Sequence, residues 1–192
     1  MSGSWWEKPS KITAPSSRHR GACHDRAVPH PTDPTIVYTD GACRGNPGPG
    51  GWAWAVPGGR FRSGADPRTT NQRMEVLAVL DAVTTLDGDL EVVSDSTYVV
   101  NCFRDRWWEG WERRGWRNSQ RQEVANQDLW RPLIAAYKHD PDRLRFRWVK
   151  GHGSDRMNDL VDRLAVEAAD TQAGRSGDAP PERVGRPDRI GR

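Results

Sequence analysis

The sequence predicts an α/β domain: a mixed five-stranded sheet, three strands antiparallel and two parallel, with helices on its faces. Three observations carry that expectation. Short β-branched and aromatic runs come first and close together, the pattern of an antiparallel meander. Each later run follows a helical segment, and a strand reached by a helical crossover lies parallel to its predecessor. The helical segments are apolar all round or along one stripe, as helices laid on a sheet must be.

Residues 35–39 (TIVYT) read as the first strand, stopped by Asp40 and Gly41. Residues 44–51 are dense in Gly and Pro and read as a loop. Residues 52–56 (WAWAV) form the second strand, 57–59 (PGG) a tight turn, and residues 60–63 begin a short third strand. Residues 71–86 form a helix that is apolar on nearly every side and therefore buried, which leaves Glu75 in need of a partner or a metal. Residues 90–94 (LEVVS) are the fourth strand, ending at Asp95, and a short helix follows over about 96–102. Residues 104–121 form a basic, tryptophan-rich insert. Residues 126–138 are helical, and 144–149 (LRFRWV) alternate as a strand with one wet face. After a loop over 150–156, residues 157–169 carry Leu160, Val161, Leu164, Ala165 and Ala168 on one side of a last helix.

Composition sets the limits. The chain has 192 residues, net charge +3 and mean hydropathy −0.86. It has no apolar run of membrane-spanning length and no secretory leader pattern, and three scattered cysteines make no disulfide framework. A reducing, cytoplasmic setting is the expectation. Residues 1–34 and 171–192 are rich in Pro, Gly and Arg and read as disordered tails around a domain at 35–170. Each tail carries +2, while the domain carries −1. Within the domain the insert at 104–121 carries +3, so the remainder is acidic. Trp5-Trp6 reads as a sticky pair near the chain start.

The acids form a pattern. Asp40 and Asp95 close the first and fourth strands. If those strands are parallel neighbours, both carboxylates meet at the carboxyl edge of the sheet, where open α/β sheets bind ligands. Glu75 can reach the same point, and Asp162 lies one helical turn beyond Asn158. Converging carboxylates stay ionised together only when divalent cations neutralise them, and oxygen-only ligands select hard ions such as Mg²⁺ or Mn²⁺. Taken singly, an Asp at a strand end also serves as a turn former or helix cap, and Glu75 has Arg73 nearby as an alternative partner.

The motifs match a known family. Residues 38–51 (YTDGACRGNPGPGG), 69–75 (TTNQRME), 94–99 (SDSTYV), 114–116 (RGW), 126–130 (NQDLW), 148–153 (WVKGHG), and Asn158 with Asp162 resemble, in order and spacing, bacterial type 1 ribonuclease H. The resemblance spans about 35–170. It implies the ribonuclease H-like fold and an endonuclease that cuts the RNA strand of RNA–DNA hybrids, leaving 5′-phosphate and 3′-hydroxyl ends. It implies Asp40, Glu75, Asp95 and Asp162 as catalytic acids holding two Mg²⁺, with Mn²⁺ as a substitute. The choice of Asp162 over Asp159 rests on the family's Asn-x-x-x-Asp spacing and on the face shared with Asn158. His152, flanked by glycines, is implied to assist proton movement and product departure, a task its near-neutral intrinsic pKa suits.

The insert resembles the family's basic handle. Arg113 and Arg114 are expected at phosphates, with Trp107, Trp111 and Trp116 among the substrate contacts and some tryptophans packing on the domain. Reading of 2′-hydroxyls in the wide minor groove falls to Cys43, Asn46, Asn71, Gln72, Ser96 and Thr97, with Thr70 resembling the residue that seats a DNA phosphate. Asn46 and Asn71 also suit turn formation and helix capping. The third strand looks shorter than in many relatives. A hybrid duplex is the expected partner, with the protein a monomer and no membrane involved. Two rival readings remain at this point: a DNA-processing nuclease of the same fold, and a non-catalytic hybrid-binding module.

Overall fold

The computed structural model describes residues 33–151 and 155–181. In chain order the elements are β1 (Thr35–Cys43), β2 (Gly48–Ala55), β3 (Phe61–Thr69), α1 (Asn71–Thr85), β4 (Leu90–Ser94), α2 (Thr97–Arg104), α3 (Trp107–Arg113), α4 (Gln127–His139), β5 (Leu144–Trp148), α5 (Arg156–Thr171) and β6 (Ser176–Gly177). The sheet order is β5-β4-β1-β2-β3-β6. β1, β2 and β3 form the expected meander, β4 lies parallel beside β1, and β5 lies parallel beside β4.

Strand alternation divides the core into two layers. Val37, Trp52, Trp54 and Val92 face α1, α2 and α4, whereas Tyr38, Ala53, Ala55 and Val93 face α5 through Leu160, Val161, Leu164 and Ala165. α1 is enclosed by the first layer and buries Met74, Val76, Ala78, Val79, Ala82 and Val83. Arg143 ties the end of α1 to the start of β5 by donating to the carbonyls of Val83, Leu86 and Gly88. The Val83 and Leu86 carbonyls are among those a helix end leaves without an internal partner.

Three expectations need correction. The sheet has six strands, not five: β6, inside the segment read as a disordered tail, pairs with Phe61 and Arg62 of β3. β1 does not stop at Asp40 but runs on to Cys43, and the second half of the expected 44–51 loop belongs to β2. The glycines misled because they serve close approach rather than turning. A Cβ at Gly41 would strike the α1 backbone at Met74 and Glu75, and one at Gly51 would strike α5 at Ala165 and Ala169. β3 is nine residues long, not short. Pro67 is tolerated because only β2 pairs with that stretch of β3. The basic insert contains a helix of its own, α3.

The tail residues 1–32 and 182–192, including Trp5-Trp6, and His152 lie outside the described residues. Among the described residues no helix is long and apolar enough to cross a membrane.

Candidate active site

The topology brings the acids together. The last parallel pair between β1 and β4 is Tyr38 with Val93. Asp40 and Asp95 each lie two residues further along, at the same level of the sheet. β1 then continues with β2 alone, so a cleft opens beyond the pair, at the point where the chain direction across the sheet switches. Asp40, Glu75, Asp95 and Asp162 all line this cleft, together with Cys43, Arg44 and Asn71. Its volume is about 430 Å³.

Each acid is held by its surroundings. Asp40 is buried, and the Gly41 N–H donates to its Oδ1 at 2.6 Å. Burial pushes its carboxyl well above the ordinary value of 3.8, and the charges of Asp95, Asp162 and Glu75 push the same way against the Gly41 N–H. Glu75 accepts from Asn71 Nδ2 at 2.8 Å and from Ser96 Oγ at 2.5 Å. Burial raises it too, with Asp95 adding to the effect and the two donors opposing it. Asp95 accepts from Asn158 Nδ2 at 3.3 Å, and Trp148 Nε1 donates to the Asp95 carbonyl at 3.0 Å. Asp162 enters from α5, one turn after Asn158. The alternative partner for Glu75 is excluded by geometry: Arg73 forms a two-bond pair with Asp128 at 2.8 and 2.6 Å.

The cleft suits a hard cation. Among the described residues no three His, Cys, Asp or Glu side chains form a ready-made metal cage. The donor set is nonetheless all oxygen, and burial and mutual repulsion penalise the charge on Asp40. A bound divalent cation reverses that penalty.

The predicted substrate residues separate into two groups. Asn71 and Ser96 are committed to Glu75, and Ser96 also caps α2 by accepting from the Val99 N–H. Thr70 caps α1 by accepting from the Arg73 N–H. The Cys43 thiol donates to the carbonyls of Gly48 and Thr69. Asn46, Gln72 and Thr97 are exposed around the cleft-forming elements.

In the insert, Arg113 and Arg114 are exposed, and Trp107 and Trp116 are half-buried. Trp111 is only 8% exposed and meets Trp130 edge-on at 5.6 Å, so it holds the insert to the core. The Trp116 ring lies under the Arg131 guanidinium at 4.3 Å. Sequence reasoning assigned no role to Trp148 or to the Asn158 amide. The sequence points to Trp148 as a strand residue and as the head of the motif at 148–153, but nothing local shows that its N–H reaches the Asp95 carbonyl.

The RNase H family profile matches residues 32–170, most of the chain and every element from β1 to α5. The chain belongs to the RNase H family. It is 47% identical over 139 residues to a protein named Ribonuclease H from Syntrophomonas wolfei, covering 69% of this chain and 94% of that one. To Ribonuclease H of Thermus thermophilus it is 42% identical over 153 residues, covering 76% and 89%. Among solved structures it is similar to LC9-RNase H1, a type 1 RNase H with the type 2 active-site motif (TM-score 0.63, 29% identity, 77% of this chain and 79% of that one). It also shares its fold with LC11-RNase H1, solved with an RNA/DNA hybrid (TM-score 0.54, 22% identity, 71% and 96% covered). The type 1 ribonuclease H read from the motifs, and the hybrid-directed endonuclease it implies, both stand.

Proposed function

We propose that this chain hydrolyses the RNA strand of RNA–DNA hybrids with divalent cations held by Asp40, Glu75, Asp95 and Asp162, leaving 5′-phosphate and 3′-hydroxyl ends. The observation that carries the reading is the convergence of four carboxylates, from β1, α1, β4 and α5, on one cleft. Two Mg²⁺ ions, with Mn²⁺ as a substitute, supply activation of the attacking water and stabilisation of the leaving oxygen when bound.

The chain's own groups do the rest. Asn71 and Ser96 fix the rotamer of Glu75, while Asn158 and Trp148 fix Asp95 from its side chain and its backbone. Such fixed first contacts limit reorganisation during reaction. Asn46, Gln72 and Thr97 are exposed to read 2′-hydroxyls, and Thr70 stands at the start of α1 to seat a DNA phosphate. Arg113, Arg114, Trp107 and Trp116 grip the duplex further along, and Trp111 supports them from below. His152 serves proton movement and product departure. The catalytic domain spans about 35–170, and the protein acts as a cytoplasmic monomer.

The test is a labelled hybrid beside matched duplex RNA and duplex DNA, each with and without Mg²⁺. Cutting of the hybrid's RNA strand that requires Mg²⁺ is expected. Preferred cutting of duplex DNA would replace this reading with that of a DNA-processing nuclease.

A further inference from the structure

Among the described residues lining the acid cleft, one side chain is basic. Arg44 opens the turn between β1 and β2, its side chain 53% exposed. Its Nε and Nη2 donate to the two carboxylate oxygens of Asp170 at 2.5 and 2.8 Å. That two-bond grip orients the guanidinium plane and leaves Nη1 for another acceptor.

The partner is informative. Asp170 stands in the last turn of α5, the helix that carries Asp162. An acid there opposes the helix dipole, so its position is favourable only through its cation. The pair thus fixes a cation at the rim of a cleft otherwise lined by acids. Such a cleft repels a polyanion, and a rigidly held guanidinium at its edge is the natural receptor for a backbone phosphate.

Resting on the proposed function, we infer that Arg44 binds a backbone phosphate of the RNA strand next to the cleavage point, and that Asp170 positions it for that contact. Arg44 is thereby a substrate-binding residue and Asp170 a positioning residue.

The experiment measures hybrid cleavage by the full chain and by Arg44→Ala, Arg44→Lys and Asp170→Asn, over a range of salt concentrations, with Tm recorded for each. Arg44→Ala should raise KM about five- to tenfold, more than it lowers kcat, and flatten the dependence of log KM on log salt by about one unit. Arg44→Lys should restore the salt slope, because the charge remains, while KM stays raised because the fork is lost. Asp170→Asn should raise KM about two- to threefold with the slope unchanged. If the wild type cuts the hybrid and Arg44→Ala lowers only Tm, leaving KM and its salt slope as in the wild type, the pair is a mere strap between turn and helix and the inference is wrong. If the wild type does not cut the hybrid, the proposed function fails and this inference fails with it.

Discussion

The acid cleft and the tryptophan-rich insert are built on opposite principles. In the cleft, every acid stands on a strand, on a helix or at a strand end. Asp40, Glu75 and Asp95 each accept a hydrogen bond from a neighbour fixed in the same framework. The insert between α2 and α4 is irregular. Of the non-glycine residues described with positive φ, Arg106, Trp116, Arg121 and Asn126 all lie in or beside it, and only Gln172 lies elsewhere. Such conformations cost about 1–2 kcal/mol each and persist only where surroundings enforce them. At Trp116 the enforcement comes from rings, Trp111 packed on Trp130 and Trp116 and Arg131 over Trp116. At Arg121 it comes from the N–H donating to the Asn118 carbonyl at 3.0 Å and from Arg117 Nη1 donating to the Arg121 carbonyl at 2.8 Å. The proposed chemistry is thus placed by the sheet, whereas the proposed grip is placed in part by a few aromatic contacts. The two regions should fail in different ways.

The largest expected effect is in the cleft. Asp95→Asn should lower kcat at least about a thousandfold while hybrid binding changes only a few-fold, measured by single-turnover cleavage beside a binding titration. Equal losses in rate and binding would erase the distinction between cleft and insert. Trp111→Ala should act through stability instead, costing about 3–5 kcal/mol because a nearly buried indole is removed. Chemical denaturation reads that loss. Unchanged stability would show that the insert does not hang from this ring.

Smaller effects sharpen the comparison. Arg113→Ala should weaken hybrid binding several-fold and reduce the salt slope by about one, with kcat little affected, as a phosphate contact requires. The last effect concerns the metal-free protein. Asp40 and Glu75 hold their protons more tightly folded than unfolded. The stability this gives is complete below their ordinary values, 3.8 and 4.5, and is lost as pH rises through the raised ones. Without metal, Tm should therefore fall as pH rises above those ordinary values, and more steeply in the wild type than in Asp40→Asn. Parallel curves would mean that the cleft carries no such penalty.

What the sequence reveals follows the same division. Asp40, Glu75, Asp95 and Asp162 are legible because strand ends and helical spacing are local patterns, and the family motifs tie them together. The parallel pairing of β1 with β4 follows from the crossover rule. The length of β1 and β2 is not legible, since Gly41 and Gly51 owe their identity to helices packed on the sheet, far away in sequence. β6 leaves no trace because Ser176 and Gly177 are exposed and pair with β3 through the backbone, beside a bond from the Ser63 N–H to the carbonyl of the preceding Arg175 at 2.7 Å. In the insert, composition announces a basic, aromatic segment but does not say which tryptophan faces inward. That depends on the αL turns at Arg106 and Trp116, residues whose types do not favour the conformation.

The central claim is that four carboxylates act together through divalent cations on the RNA strand of a hybrid. The most direct test is a Mg²⁺ titration of cleavage of an RNA strand annealed to DNA, with the product ends identified. Cleavage should be absent in chelator, rise with Mg²⁺, and leave 3′-hydroxyl ends that a polymerase extends. Undiminished cutting in chelator, or products ending in a 3′-phosphate, would contradict the account.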